Sequence, residues 1–185
     1  MFLKKIILVG FKSSGKTTLG RALSKSLSVK FFDLDELIEK KYLKENRELL
    51  SFRKIFRKIG EKKFRELENV LLREYISVES CLLSLGGGTV DDEKNREMLE
   101  DFCVVYVRVP IEDLLIRIKK NGYPSYLDDS SDPEKEIRNL FTRRVPIFEK
   151  ISDIIIDNPN SIKFKELILD STRKILDLVQ NNKCN

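Results

Sequence analysis

One stretch of the sequence decides the fold: Gly10-Phe11-Lys12-Ser13-Ser14-Gly15-Lys16-Thr17. It fits the GxxxxGK[ST] phosphate-binding pattern and lies between an apolar run at residues 5–9 and a helical pattern at residues 16–27. Glycines in such a loop let backbone N–H groups point at a phosphate, and the following helix adds the positive end of its dipole. This strand–loop–helix context argues against the alternative, a merely flexible glycine and serine turn.

The loop predicts a nucleoside triphosphate as ligand. We expect its phosphates to contact six consecutive residues: Ser13, Ser14, Gly15, Lys16, Thr17 and Thr18. Lys16 would reach the β and γ oxygens, and the Thr17 hydroxyl would bind Mg²⁺. Small-molecule kinases and GTPases both use such a loop, but the NKxD tetrapeptide that reads guanine in GTPases is absent from the sequence. A kinase is therefore favoured over a GTPase.

Outward from the loop, short apolar runs alternate with helical periodicity, which predicts an α/β fold with a parallel sheet. We expect five strands, at residues 5–9, 30–32, 81–85, 102–108 and 153–156. Residues 43–76 read as one continuous helical stretch inserted between the second and third strands. Residues 121–133, rich in Pro, Gly and Asp, are typical of a mobile loop.

The composition limits the chemistry. The chain has 185 residues, 41% of them hydrophobic, and no histidine, which predicts a single globular domain without an imidazole base, a Ser-His-Asp triad or a His-bearing zinc site. Catalysis must therefore use carboxylates, Lys, Arg, hydroxyls, backbone amides or a hard metal ion.

The charge is mildly basic and unevenly spread. The chain carries 35 basic and 30 acidic residues, and residues 39–75 alone contain 12 basic and 7 acidic ones, a difference of 5 that equals the whole formal excess of +5. Elsewhere the signs are balanced, and no aromatic and basic platform accompanies them, so we expect no nucleic acid as partner. Three scattered cysteines and no signal-peptide core predict a cytoplasmic protein without a membrane partner.

Two carboxylates follow the second predicted strand. Asp33 and Asp35 are spaced so that both point to one side of an extended chain, beside the phosphate loop. That placement suits Mg²⁺ coordination and orientation of an attacking hydroxyl. An equally weighted interpretation makes Asp35 the amino-terminal cap of the next helix. After the third strand, the consecutive Gly86, Gly87 and Gly88 offer amides for close approach to a ligand and allow a positive φ.

Taken together, these motifs resemble the shikimate kinase family over nearly the whole chain. The resemblance rests on the phosphate loop, on Asp33 and Asp35, and on three further segments: Gly60-Glu61 with Phe64-Arg65-Glu66-Leu67-Glu68, Leu82-Leu83-Ser84-Leu85-Gly86-Gly87-Gly88, and Arg144-Val145-Pro146-Ile147-Phe148. It implies a three-layer α/β/α fold of the nucleoside-monophosphate-kinase type with a five-stranded parallel sheet. It also implies transfer of the γ-phosphoryl of ATP to the 3-hydroxyl of shikimate, a step of aromatic amino acid biosynthesis.

The resemblance also implies a division of the chain 1–185 and a set of roles. The core would comprise residues 1–36 and 77–180, the substrate-binding helices about 37–76, and the lid about 121–133. Shikimate would contact Asp35, Arg65, Gly86, Gly87, Gly88 and Arg144, with Glu68 holding Arg65. Lys16 and Asp35 would be catalytic, Thr17 and Asp33 would hold Mg²⁺, and Arg117 would contact the adenine. ATP and shikimate would be the partners of a monomer.

One position departs from the family pattern. The lid of the family carries an arginine that closes on the phosphates, and Tyr123 takes its place here, among the expected nucleotide contacts. A phenol cannot neutralise developing charge. Either Lys119, Lys120 or Arg143 supplies the missing cation, or transfer is slow, or the acceptor differs. We expect Tyr123→Arg to raise turnover and to leave shikimate affinity nearly unchanged. An unchanged or reduced turnover would mean that another cation already acts.

The same tyrosine keeps two other functions open. A related small kinase would act on another carboxylated polyol such as gluconate, since Arg65 and Arg144 still demand a carboxylate. A catalytically weak relative would bind nucleotide and ligand without turnover. A screen of acceptors with ATP and Mg²⁺ separates the three.

Overall fold

The computed structural model describes residues 5–78, 80–124, 127 and 130–180. Within them, five strands form one parallel sheet: β1 (Ile6–Val9), β2 (Lys30–Asp33), β3 (Cys81–Ser84), β4 (Cys103–Arg108) and β5 (Ile154–Asp157). The strand order is β2-β3-β1-β4-β5, and every pairing is parallel. The predicted five-stranded parallel sheet is confirmed, with each strand within two residues of its expected bounds.

Helices connect the strands and cover both faces of the sheet. Those within the described residues are α1 (Lys16–Leu27), α2 (Leu34–Asn46), α3 (Phe52–Ile76), the short α4 (Glu93–Glu97), α5 (Ile111–Asn121), α6 (Pro133–Ile151) and α7 (Phe164–Gln180). A single 3-10 turn at Thr89–Asp91 precedes α4. The sequence patterns predicted neither this turn nor α4, because both are too short to show a helical period.

The sheet separates two hydrophobic cores. Side chains alternate across the central strand, so Ile7 and Val9 face α2, α3, α5 and α6, while Ile6 and Leu8 face α1 and α7. All four are at most 1% exposed. This double burial explains why β1 is a continuous apolar run rather than an alternating one, and it gives the three-layer architecture.

The expected continuous helix at residues 43–76 is wrong in two places. Arg47 adopts a left-handed conformation with φ 55°, which ends α2, and an irregular segment runs to Ser51. Within α3, Gly60 has φ 78° and ψ 163°, so the helix is kinked there. Periodicity missed the break because the apolar positions on either side of it belong to two helices with similar spacing.

The carboxyl ends of β1, β2 and β3 lie at the same edge of the sheet. The neighbours of the central strand β1 are β3 on one side and β4 on the other. In open parallel sheets this edge forms the ligand crevice. The phosphate loop, the two aspartates and the three glycines all follow these strands. Among the described helices, none combines the length and apolar character needed to cross a bilayer.

Candidate active site

The phosphate loop is wound as an anion-binding turn. Ser13 and Gly15 have φ of 64° and 93°, a conformation that turns successive N–H groups toward one point in front of α1. The buried Lys16 ammonium donates to the carbonyls of Gly10 and Phe11, at 3.0 and 2.8 Å. Burial lowers the pKa of Lys16 to about 8, although Asp35 and Asp33 oppose the shift. The Lys16 side chain therefore lies against the phosphate loop, close to where the phosphates are expected to bind.

A neighbouring loop braces the phosphate loop from behind. The Asn158 amide, just after β5, donates to the Ser14 carbonyl at 2.8 Å. Arg117 on α5 donates to the Asn158 carbonyl at 2.8 Å, to Asn160 Oδ1 at 2.7 Å and to the Ser14 carbonyl at 3.4 Å. The Asn158 brace was missed in the sequence, because it joins positions 144 residues apart and no motif marks it.

The two aspartates have different local roles. Asp33 caps α2 by accepting from the Asp35 N–H at 3.1 Å, and its other oxygen accepts from the Thr17 hydroxyl at 2.6 Å. The interpretation of Asp35 as the helix cap is therefore wrong, and the carboxylate of Asp35 is left to face the cavity. Thr17 and Asp33 together bring hard oxygen donors beside the phosphate loop, as Mg²⁺ requires.

Asp35 lies half-buried among like charges. Burial, reinforced by the neighbouring carboxylates of Asp33 and Glu68, raises the pKa of Asp35 to about 7, and Lys16 counteracts this shift. A carboxyl group with such a pKa can accept a proton from a bound hydroxyl near neutral pH. Its environment therefore suits a general base.

Arg65 is held by a buried partner. Its Nη1 lies 2.6 Å from Glu68 Oε2, one turn away on α3, and Glu68 is only 1% exposed. The other oxygen of Glu68 accepts from the Thr89 hydroxyl at 2.5 Å. Because both oxygens of Glu68 are engaged, the guanidinium of Arg65 is fixed in direction with its remaining N–H groups available to an anion.

The three glycines after β3 are required by close packing rather than by backbone conformation. None of them has a positive φ, so that part of the expectation is wrong. A Cβ on Gly86 would lie 2.8 Å from Glu68 Oε1, and one on Gly88 would lie 2.6 Å from Arg65 Nη2. A Cβ on Gly87 would lie 3.2 Å from the Lys12 backbone nitrogen. The glycines thus let α3 and the phosphate loop both pack closely against the segment after β3.

Arg144 on α6 reaches the same cavity. It is 5% exposed and forms a forked ion pair with Asp91, with Nη2 to Oδ2 at 2.6 Å and Nε to Oδ1 at 3.0 Å. Asp91 lies in the turn after the glycines. No sequence pattern predicted Asp91 as a partner of Arg144, since the two residues are 53 positions apart and share no motif.

These parts enclose a cavity of about 310 Å³. Within the described part of the chain, the charged residues that line it are five cations and three carboxylates: Lys12, Lys16, Arg53, Arg65 and Arg144, with Asp33, Asp35 and Glu68. Phe52, Phe56 and Phe64 form an apolar wall. The arrangement fits a small anionic molecule with an apolar ring face, bound next to a phosphate chain.

Most of the expected site residues line this cavity, including Ser13, Gly15, Lys16, Thr17, Thr18 and all three glycines. Ser14, Arg117 and Tyr123 are not among the lining residues. Ser14 faces the brace behind the loop, and Tyr123 is half-buried against the core. Ser125, Tyr126, Asp128 and Asp129 of the expected lid lie outside the described residues.

The cations expected to replace the lid arginine lie in other surroundings. Lys119 pairs with Glu134 at 2.7 Å, and Arg143 lies 3.3 Å from Asp91 with a 61% exposed side chain. Lys120 is exposed at the end of α5. None of the three lines the described cavity.

Comparisons with known proteins agree with this geometry. The family model described as shikimate kinase matches residues 12–178. The shikimate kinase of Corynebacterium glutamicum is 36% identical over 152 residues, covering 82% of this chain and 85% of that protein. The shikimate kinase of Aquifex aeolicus is 36% identical over 168 residues, covering 89% and 94%.

Solved structures give the same relation. The shikimate kinase of Acinetobacter baumannii in complex with shikimate superposes with a TM-score of 0.80 at 34% identity, covering 99% of this chain and 96% of that one. The Aquifex aeolicus shikimate kinase structure superposes with a TM-score of 0.73 at 32% identity, covering 97% and 98%.

Proposed function

The chain belongs to the shikimate kinase family, and from this membership we propose that it transfers the γ-phosphoryl group of ATP to the 3-hydroxyl of shikimate. The observation that carries the proposal is the single cavity in which the phosphate loop, Asp35, Arg65 and Arg144 meet. The cavity has a place for a phosphate chain on one side and two guanidinium groups for a carboxylate on the other. Similar proteins are named as kinases of this substrate.

In this reaction the shikimate hydroxyl attacks the γ-phosphorus, the bond to the bridging oxygen of ADP breaks, and the hydroxyl proton passes to Asp35. Arg65 and Arg144 would bind the shikimate carboxylate through guanidinium forks, and the Gly87 N–H would contact the same molecule. Lys16 would neutralise charge on the β and γ oxygens. Because phosphoryl transfer depends on alignment and charge neutralisation, a site without histidine is sufficient.

Mg²⁺ fits the residues at the mouth of the phosphate loop. Thr17 and Asp33 would hold it, and when bound it neutralises charge on the transferring phosphate. The described residues contain no cluster of three or more acidic or sulfur ligands. Mg²⁺ commonly takes one or two protein ligands, with phosphate oxygens and water completing its shell.

We further propose the division of the chain implied by the resemblance, with α2 and α3 as substrate-binding helices and residues 121–133 as a lid. We also propose that the enzyme acts as a monomer, because the phosphate loop, Asp35, Arg65 and Arg144 of one chain already meet in one cavity. Cys81 and Cys103 are buried, and we propose a cytoplasmic location, where cysteines remain reduced.

The test is a coupled assay of ADP release with ATP and Mg²⁺, with shikimate, gluconate or no acceptor. We expect release to depend on shikimate and to fall at least about 100-fold in Lys16→Ala. Lys25→Ala, an exposed lysine on the same helix, serves as the control and retains activity. Equal release without acceptor, or with gluconate, would show that the proposed acceptor is wrong.

A further inference from the structure

Because Tyr123 stands where the family has a lid arginine, the site lacks one positive charge near the transferring phosphoryl group. The transferring phosphoryl group spreads negative charge over its oxygens in the transition state, and a positive group facing those oxygens accelerates the reaction. Tyr123 cannot provide such a positive group. Of the cations considered from the sequence, Lys119 and Arg143 are engaged at the surface, and Lys120 lies exposed at the end of α5.

The cavity nevertheless contains a cation beyond those with assigned roles. Arg65 and Arg144 are held by carboxylates for the acceptor, and Lys16 belongs to the phosphate loop motif. Arg53 donates to the Asn121 carbonyl at 3.3 Å, at the start of the lid segment. Among the residues that the structure describes, the remaining cation that lines the cavity is Lys12.

Lys12 is placed by the phosphate loop itself. It is the second residue of a tight turn that the Ser14 N–H closes by donating to the Phe11 carbonyl at 3.2 Å. The Lys16 ammonium also donates to the Phe11 carbonyl, at 2.8 Å, so the turn is fixed on both sides. The backbone of Lys12 is therefore fixed within the loop whose other residues are expected to surround the phosphates.

The glycine segment that is expected to contact the acceptor lies next to the backbone of Lys12. Gly87 contacts the Lys12 backbone, since a Cβ there would lie 3.2 Å from Lys12 N. The preceding residue, Gly86, approaches Asp35, since a Cβ there would lie 3.5 Å from Asp35 Oδ1. Consecutive Cα atoms are only ~3.8 Å apart. The backbone of Lys12 and the carboxylate of Asp35 therefore both lie beside the segment Gly86–Gly87.

We propose that Lys12 is a catalytic residue of this enzyme, which neutralises charge on the transferring phosphoryl group in place of the lid arginine. Its ammonium nitrogen is shielded from solvent. A cation in such surroundings interacts with phosphate oxygens more strongly than an exposed one, because the local dielectric constant is lower. This inference rests on the proposed function and adds a residue to it.

The test compares four variants with the wild type: Lys12→Met, Tyr123→Arg, the double variant, and Lys25→Met as an exposed lysine control. The measured quantity is the rate constant of a single turnover with enzyme in excess over ATP, with saturating shikimate and Mg²⁺. Calorimetric affinities for ADP and shikimate report whether each variant keeps an intact site.

We expect Lys12→Met to lower the single-turnover rate constant at least about 10-fold, with ADP and shikimate affinities changed less than about 3-fold. Lys25→Met leaves the rate constant unchanged. Tyr123→Arg has little effect in the wild type but restores most of the rate lost in Lys12→Met, since either cation then serves the same oxygens. Such non-additivity is the signature of two groups that perform one task.

Three results would overturn the assignment. One is a Lys12→Met rate constant within about 2-fold of the wild type. Another is a loss of ADP affinity as large as the loss of rate, which would place the effect of Lys12 in ground-state binding. The third is an equal effect of Tyr123→Arg in both backgrounds. A wild type without shikimate-dependent ADP release would instead refute the proposed function, so the two failures are distinguishable.

Discussion

Asp35 shows how a single residue trades stability for chemistry. Its carboxylate is half-buried near Asp33 and Glu68, and burial with these two charges raises its pKa to about 7 from an ordinary 3.8. Ionised Asp35 is therefore costly in the empty protein. The cost is tolerated because a carboxylate at this position can receive the hydroxyl proton.

We predict that Asp35→Asn stabilises the ligand-free protein while abolishing most activity. The variant keeps the shape of the side chain but removes the charge, so in EDTA at pH 8 the free energy of unfolding rises by at least about 1 kcal/mol. Shikimate-dependent turnover falls at least about 100-fold, because no base accepts the proton. Denaturant unfolding and the coupled assay measure the two effects.

The stabilisation depends on pH in a defined direction. Between pH 4 and 7 folded Asp35 retains a proton that the unfolded chain has already released, so the wild type loses stability from this group as the pH rises through that window. The gain in Asp35→Asn is thus absent at pH 4 and complete above pH 7. Glu66→Gln, an exposed carboxylate on α3, is the control. A gain that is independent of pH would contradict the electrostatic explanation.

A second residue-scale prediction concerns the support of Arg65. Glu68→Gln removes the charge that pairs with Arg65 at 2.6 Å, so the guanidinium loses its fixed direction. We expect the KM for shikimate to rise about 10-fold with kcat changed less than about 3-fold, and the free energy of unfolding to fall by about 2 kcal/mol. Steady-state kinetics and denaturant unfolding report these changes.

Glu61→Gln is the matched control, because Glu61 also faces Arg65, at 4.0 Å, but is 72% exposed. Exposed pairs contribute little, so we expect its KM to stay within about 2-fold of the wild type. Equal effects of the two variants would show that any nearby negative charge holds Arg65 in place, and that the buried pair with Glu68 is not specifically required.

At the residue scale, contiguous motifs were readable and distant partners were not. The adjacent Gly15, Lys16 and Thr17 predict phosphate binding, because a phosphate loop needs those residues in adjacent positions. Asp91 and Asn158 became visible only in the fold, since each meets its partner across at least 53 residues. A side chain that acts through such a contact leaves no local pattern.

At the scale of elements, the kink in α3 positions one side of the cavity. Gly60 separates a first half that carries Phe56 from a second half that carries Phe64 and Arg65, and the two rings meet edge to face at 5.2 Å. A straight helix would not bring them together in this way. Sequence periodicity could not reveal the kink, because glycine is also tolerated inside helices.

We predict that Gly60→Ala weakens both stability and shikimate binding. At φ 78° and ψ 163° an alanine is strained although no atom lies within 4 Å of its Cβ, so the cost comes from the backbone alone. The free energy of unfolding should fall by about 1–3 kcal/mol. If α3 straightens to relieve the strain, the KM for shikimate rises while ADP affinity is retained.

The control for the kink is Lys62→Ala, which lies two residues further along α3 at an exposed position with ordinary helical geometry. Alanine favours a regular helix, so this variant should be neutral or slightly stabilising. A Gly60→Ala protein as stable as Lys62→Ala would mean that the kink carries no strain for other residues.

At the scale of the whole molecule, the layers were predictable and the enclosure of the cavity was not. The apolar strands and amphipathic helices state which faces are buried, and parallel connectivity brings the carboxyl ends of β1, β2 and β3 to one edge. How closely α3 approaches the glycines depends on packing between elements. That close packing is possible because glycines have no Cβ atom. At Gly88, for example, the Arg65 side chain lies where a Cβ would be, and the sequence does not reveal this contact.

The uneven charge of the molecule has a kinetic consequence. The basic excess of residues 39–75 lies on the helices beside the cavity, and both proposed substrates are anions. Lys62 and Lys63 are two exposed lysines next to Arg65 on α3. We predict that replacing both with Glu lowers kcat/KM for shikimate about 3-fold at low salt and leaves kcat unchanged. The cause is weaker electrostatic steering of the anionic substrate toward the cavity. The effect should vanish near 0.3 M salt, since the screening length falls from ~30 Å at 0.01 M to ~8 Å at 0.15 M. Lys25→Glu with Lys30→Glu makes the same change of net charge at exposed positions by the opposite edge of the sheet; an equal loss in that variant would assign the effect to net charge and not to its location.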